Sequence, residues 1–478
     1  MRINQISKLF SIIVIFIFIF AACAVNPVTG KKELMLFSEK SEIAMGQQTD
    51  QEIRQEYGIY EDQRLNAYVT TIGMKLVPHT HRPNLQYHFA VLDTPVENAF
   101  AAPGGYIYVT RGILALMNSE AELAAVVGHE LGHVSARHSV KKLSEIMLVY
   151  AGLAIGSALS KDVAKFAGVA GLGAQLLFLK FSRDDEYQAD ELGVRYSRAS
   201  GYDPRQMAQF FDALEKLSSE MGGGHIPNFL STHPLTSKRI NRVREMTVVG
   251  DAVLAVRRPE YLGSINNVVY GEDPRQGYVE SNAFYHPEMA VTFDIPSEWT
   301  VVNTPQQVTL TSKDEKAAMI LRAEPSAMAI DQYLNKRAAE LNSPQLLGSR
   351  QTVINGLTGI NALYRVLQEQ QPLKVGLTCI RKDSNVFTFF AASGEGDFNN
   401  YNYAFSQTIN SFRRLSDPRF TNRQAKRLHV INANGGERLR DLLSRTGVDQ
   451  KLWKRLAIAN DLEIDAALGR GQAVKIIR

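Results

Sequence analysis

The segment His129-Glu130-Leu131-Gly132-His133 constrains this chain more than any other. Residues four apart share one face of a helix, so both imidazoles can reach one Zn²⁺ while Glu130 reaches a water held there. Such a set suits metal-assisted hydrolysis of a peptide bond. The pattern demands a helix, and its flanks supply one. Ser119 is placed to cap, and Glu122 three residues on completes a capping-box pattern. Leu123, Ala124, Val126, Val127, Leu131 and Val134 follow without a proline, which predicts a mostly buried helix with the histidines inside it. The competing reading is a pair of core histidines satisfied by backbone carbonyls.

A catalytic zinc takes three protein ligands and keeps one open position, so a further ligand must come from elsewhere. The run Phe181-Ser-Arg-Asp-Asp-Glu-Tyr-Gln-Ala-Asp190 offers Glu186 and opens a second helix that stops near Gly201-Tyr-Asp-Pro204. Glu186 and Asp190 share a face, so one can ligate while the other hydrogen-bonds the free ring nitrogen of a ligand histidine. By composition alone the five acids Asp184, Asp185, Glu186, Asp190 and Glu191 also read as a solvated face.

The string HELGHVSARHS, followed by SRDDEYQAD and GYDP, resembles the gluzincin zinc metallopeptidase family that includes the CAAX prenyl protease, HtpX and BepA. The BepA-like bacterial envelope branch is the nearest in pattern. NPVTGKKELMLFSEKSEIAMGQ at 26–47 and NAFAAPGGYIYVTRGIL at 98–114 extend the resemblance over most of residues 24–250. It implies one Zn²⁺ per chain held by His129, His133 and Glu186, with Glu130 as general base and Asp190 behind a ligand. Ser231-Thr232-His233-Pro234-Leu235 matches the family's S/T-H-P loop, which implies that His233 lies over the site as a transition-state stabiliser or as a latch on the open zinc position. Read alone, a loop histidine is structural or solvated as readily. His138 reads as an ordinary histidine pointing off the zinc face.

Pro103-Gly104-Gly105 reads as a turn, and Tyr106-Ile107-Tyr108-Val109-Thr110 as a strand. An edge strand beside a zinc can take an extended peptide by backbone pairing. Asn98, Ala99, Tyr106, Ile107 and Tyr108 are therefore the expected substrate strand, which the resemblance favours over a plain core hairpin.

Residues 1–22 read as a signal peptide: Arg2 and Lys8 form a basic start, and Leu9–Phe20 an apolar stretch short for a membrane span. Phe20-Ala21-Ala22-Cys23 resembles a bacterial lipobox, with Phe at the usual Leu position. It implies a lipidated Cys23 and an exported lipoprotein of the periplasm or outer membrane, Ala24 leaning toward the outer membrane. Cys379 is the only other cysteine, so export rests on no disulfide framework, and cysteine ligation of zinc is excluded. Met147–Phe181 is apolar but broken by Lys161, Asp162 and Lys165, which predicts two helices or a helical hairpin against the core or the membrane surface. A net charge of +4 gives no basis for nucleic-acid binding.

The expected architecture is α+β and multidomain, with 45% hydrophobic residues over 478 positions ample for several cores. A mostly α metallopeptidase domain with a small sheet spans 23–265, after which the pattern changes. Strands are expected at Ala290–Phe293, Val308–Thr311 and Ala318–Leu321, helices at Ala329–Leu341 and Tyr403–Phe412. Residues 285–416 thus form an α+β sheet domain, whose start resembles a photosystem-P-subunit-like domain. Residues 427–478 resemble a LysM repeat with Gly-Glu-Arg in place of Gly-Asp-Thr, and are read as a third unit that either binds peptidoglycan or serves as a structural cap. The sum is an envelope endopeptidase acting on misfolded or unassembled proteins; a latent protease acting as assembly chaperone or scaffold is the rival.

Overall fold

The structure, a computed structural model, describes residues 23–156, 180–220, 228–341, 343–368 and 371–478. The chain divides into two units, one running to Gly271 and taken up again at Arg427–Arg478, the other Glu272–Lys426. Residues 1–22, the stretch 157–179 inside the expected helical hairpin, and Gly222–Gly224 before the His233 loop lie outside the described residues.

In the first unit, β1 (Cys23–Val25) pairs antiparallel with β2 (Lys32–Leu34). Helix α1 (Glu39–Tyr57) follows, capped by Ser38, and then α2 (Gln63–Leu76), whose first N–H groups are accepted by Asp62. Strands β3 (His88–Leu92), β4 (Ala99–Ala102) and β5 (Tyr106–Thr110) form a sheet in the order β3-β5-β4, with β3 parallel and β4 antiparallel to β5. The turn between β4 and β5 holds Gly104 at φ +76°, where an added Cβ would meet the Ile43 Cα at 2.9 Å.

This order corrects one expectation. Tyr106, Ile107 and Tyr108 are buried in the central strand, paired on both sides, so their backbone has no free edge for a peptide. Of the two hairpin strands, the one at a sheet edge is β4, which Asn98 precedes and Ala99 begins. A hairpin alone leaves both strands as candidates; the crossover that lays β3 on β5 decides between them.

Short α3 (Arg111–Leu116) leads into α4 (Glu120–Ala136), the helix of the histidine motif. Ser119 accepts the Glu122 N–H at 3.1 Å as expected. The Glu122 carboxylate, however, accepts from the Asn118 N–H at 2.7 Å, one residue earlier than the capping box requires. Every residue of α4 is buried, so the helix runs through the core rather than lying on it. It stops at Arg137, in the left-handed region at φ 59°, and α5 (His138–Gly156) begins. No helix among the described residues is long and apolar enough to cross a membrane.

Helix α6 (Arg183–Ala199) carries the acidic run, started by a capping box between Ser182 and Asp185. It packs closely along α4 through small residues: an added Cβ at Gly193 would lie 3.0 Å from the His129 backbone N, and one at Gly132 3.1 Å from Ala189. Helices α7 (Arg205–Glu220), α8 (Asn228–Thr232), α9 (Ser237–Met246) and α10 (Arg258–Ile265) complete this part.

The second unit holds a seven-stranded antiparallel sheet and a four-stranded one, with helices Ile330–Ala338 and Phe398–Ser411. The expected strands stand at Val291–Asp294, Gln307–Thr311 and Ala317–Pro325. The closing helix starts five residues before Tyr403. Phe284, Phe293, Phe387, Phe389, Phe405 and Phe412 anchor the core.

Residues 427–478 have the strand-helix-helix-strand order: Leu428–Asn432, Leu439–Arg445, Trp453–Ala459 and Ala473–Ile477, the strands antiparallel. They group with the first unit and do not stand apart as a third. The Lys475 ammonium is fully buried and donates to the carbonyls of Ala115, Leu116 and Met117 at 3.0, 3.0 and 2.7 Å, at the end of α3. A lysine in a strand reads as solvated until the partner that buries it is known.

Candidate metal centre

Four side chains from three places in the sequence converge: His129 and His133 of α4, Glu186 of α6, and His233 just past α8. All are buried. The His129 Nε2 lies 3.1 Å from the His133 Nε2 and 3.3 Å from the His233 Nδ1. The Glu186 carboxylate oxygens lie 3.7 Å from His129 and His133, and Oε1 lies 3.0 Å from the His233 Nδ1. Ligands about 2.0–2.1 Å from a tetrahedral zinc stand roughly 3.3 Å from each other, within this spread.

The outer contacts decide which nitrogens face inward. The Asp190 Oδ1 accepts from the His129 Nδ1–H at 3.0 Å, which leaves the Nε2 lone pair for the site. The Gln188 Oε1 can only accept, so His138 donates to it through Nε2 at 2.9 Å. The His138 Nδ1 then accepts from the His133 Nδ1–H at 2.9 Å, which turns the His133 Nε2 lone pair inward. Two imidazole lone pairs 3.1 Å apart in a buried site repel unless a cation lies between them, and the donor set therefore fits zinc. His138, read from sequence as ordinary, is thus the group that orients His133. An i,i+5 spacing points off the ligand face on a continuous helix, but the break at Arg137 swings His138 back.

Arg239, on α9, had no place in the sequence reading. Its guanidinium donates to Asp190 at 2.7 and 2.8 Å, pairs with Glu186 at 2.8 Å, and donates to the carbonyls of His233 and Pro234. The only signal was its place in a helix six residues after His233. Burial works against both carboxylates, but His233 and Arg239 for Glu186, and Arg239 and His129 for Asp190, hold them below the usual range. Burial also keeps His129 and His133 neutral, as ligation needs. For His233 burial is outweighed by Glu186 and Glu130, which raise it.

Glu130 faces the same space. Burial pushes its carboxyl up to about 8, and neither oxygen makes a well-formed hydrogen bond among the described residues. The His233 Nε2 is 3.6 Å away. Phe229 lies under the cluster, its ring 4.8 Å from that of His233 and 6.2 Å from that of His129. The edge strand β4 packs against α4.

Residues 63–247 match the family model described as peptidase family M48. Over these residues the chain is similar to M48 peptidases. M48 peptidases are zinc-dependent, in accord with the donor set. The chain is 30% identical over 227 residues to the beta-barrel assembly-enhancing protease of Yersinia pestis, covering 46% of each. It is 28% identical over 242 residues to the protease of that name in Escherichia coli, covering 47% of this chain and 49% of the relative. The mitochondrial metalloendopeptidase OMA1 of Arabidopsis thaliana is 30% identical over 210 residues, covering 44% of this chain and 41% of the relative. The chain thus spans about half the length of the curated relatives it matches. The M48 segment contains His129, Glu130, His133, Glu186, Asp190, His233 and Arg239; Cys23 and residues 272–478 lie outside it.

Proposed function

We propose that the chain is an exported, zinc-dependent endopeptidase of the bacterial cell envelope that acts on unfolded or unassembled envelope proteins and rests in a latched state. The observation that carries the latch is the His233 Nδ1, 3.0 Å from Glu186 and 3.3 Å from the His129 Nε2, a fourth donor where a catalytic site keeps an open position. The envelope setting is supported by the relatives' name, beta-barrel assembly-enhancing protease.

His129, His133 and Glu186 would hold the metal, and zinc there supplies Lewis-acid polarisation of a carbonyl and a lowered pKa for water. The rest belongs to the protein. Glu130 takes a proton on a free carboxylate oxygen and returns it to the leaving amine. Asp190, Gln188 and His138 keep the ligand rings in the correct tautomer. The β4 edge from Ala99 aligns an extended peptide through its backbone groups, with Asn98 at its entrance.

The organisation we propose is a cleaved leader at 1–22, a lipid-anchored Cys23, a peptidase over 23–265, the sheet domain over 285–416, and a LysM-like module over 427–478 that meets peptidoglycan. A second reading, an assembly chaperone or scaffold, is favoured by the same closed His233. Incubation with unfolded envelope proteins, with and without chelator, separates them. The enzyme cleaves in a chelator-sensitive way, and His233→Ala cleaves faster; a slower His233→Ala rejects the latch. Cys23→Ser should leave the membrane fraction, and its retention there would reject the anchor.

A further inference from the structure

The latch helix α8 is held at both ends. On the His233 side Arg239 donates to the carbonyls of His233 and Pro234. On the other side the Phe229 N–H donates to the Glu97 carbonyl at 2.9 Å, and one turn on the His233 N–H donates to the Phe229 carbonyl at 2.8 Å. Phe229 is therefore both the first fixed peptide of the helix and a ring packed against His233, with His129 beyond it.

Glu97 is not part of the ligand cluster. It is buried, it sits two residues before β4, and its carboxylate is ion-paired with the guanidinium of Arg455. Arg455 belongs to helix Trp453–Ala459 of the C-terminal module and lies over the Tyr270 ring at 5.8 Å. The same module is pinned beneath α3 by Lys475. The segment carrying Glu97 is braced on its other flank, where the Asn98 N–H donates to the Thr110 Oγ1 at 3.1 Å. A buried carboxylate that loses an ionic partner moves toward water or is destabilised. Movement of Glu97 draws its carbonyl away from Phe229.

We propose that Arg455 and Glu97 are positioning residues that hold α8, and with it His233, in the closed setting, so that the C-terminal module governs the latch. This rests on the latch reading of His233. It also ties the latch to the substrate edge, because Glu97 leads directly into β4.

The test uses the full-length, zinc-loaded protein and hydrogen exchange beside cleavage. Arg455→Gln should speed exchange of the Phe229 and His233 amides by about tenfold, as for a local opening, while Leu123–Val134 of α4 and the zinc content stay as in wild type. Basal cleavage should rise toward that of His233→Ala, and the double variant should cleave no faster than His233→Ala alone. Arg455→Lys, which keeps the charge, should restore most of the protection, and Glu97→Gln should behave as Arg455→Gln. Unchanged exchange at Phe229 in both Arg455→Gln and Glu97→Gln overturns the proposal, as does loosening that spreads equally to α4. Faster exchange confined to α8, with His233→Ala slower than wild type, places the fault in the latch reading and leaves the tether intact.

Discussion

The α4–α6 pair and the core face of the seven-stranded sheet both bury many side chains, yet they fill their interiors with opposite chemistry. Along α4 and α6 the buried positions include Glu120, Glu122, His129, Glu130, His133, Asp185, Glu186 and Asp190, met by Arg239 from α9. The sheet buries Leu310, Met319, Leu377, Phe387 and Phe389, with Cys379 a titratable group at its centre. Each charge taken into an interior costs several kcal/mol before pairing, about the stability of a whole domain when summed. The helix pair tolerates this because most of these charges are paired, Glu186 and Asp190 with Arg239 and Asp190 also with His129, and that mutual dependence is also what makes a metal site. Its stability should follow zinc and pH; that of the sheet should follow neither.

The largest effect tests the helix pair as chemistry rather than packing. Glu130→Gln should lower cleavage about 10²–10⁴-fold, since an amide cannot accept the proton, with zinc content and thermal unfolding kept. Cleavage within tenfold of wild type would remove Glu130 as base. Glu186→Ala should drop zinc from one per chain to a small fraction by metal analysis, and leave Arg239 and His233 short of their counter-charge. The expected loss in the metal-free protein is about 3–5 kcal/mol. Full occupancy in that variant would sink the ligand assignment.

Phe389→Ala makes the complementary cut. Loss of a fully buried ring should cost about 3–5 kcal/mol in the unfolding of the second unit, with zinc stoichiometry unchanged. A fall in zinc would show that the two units do not unfold independently.

Acid should act on the first unit of the metal-free protein. Glu186 and Asp190 have folded values below their unfolded ones, so their contribution is present above about pH 4 and lost as pH falls through the lower folded values. The acids of the second unit that are held down, Asp314, Glu324, Asp383 and Asp417, are themselves exposed or half-exposed, so solvent screens their pairs. Circular dichroism below pH 4 should show helix loss before strand loss, and the reverse order would break the comparison. The smallest signal comes from Cys379, whose thiol burial pushes up to about 11. At pH 8 it should resist alkylation with or without chelator, followed by mass of its peptide. Labelling on chelation alone would couple the sheet to the metal.

Much of the site was legible because its parts are local. His129, Glu130 and His133 are placed by one helical turn, and Glu186 and Asp190 by another, so spacing alone puts each pair on one face. The α+β strand pattern after residue 285 was legible for the same reason, since alternation is a property of neighbours in sequence. His138 was misread because a single left-handed residue, Arg137, resets the direction of the chain. Arg239 was missed because its two acid partners lie 49 and 53 residues away in sequence. The substrate edge was assigned to both strands of a hairpin when a third strand had already taken one of them.

What the sequence determined by itself is the chemistry available: two imidazoles and a carboxylate on one helix, two carboxylates on another, a histidine before a proline, and too few cysteines for a thiolate site. These follow from side-chain type and the 3.6-residue period, which need no knowledge of distant partners. Only the tertiary structure decided that His233 stands in one cluster with His129, His133 and Glu186, that β4 rather than β5 lies at a sheet edge, that Gln188 and His138 set a tautomer, and that the C-terminal module reaches Glu97 and α3. Each of these is a contact between segments far apart in sequence. Such contacts depend on how whole elements pack, and a buried charge such as Lys475 or Arg239 looks like any surface charge until its partner arrives.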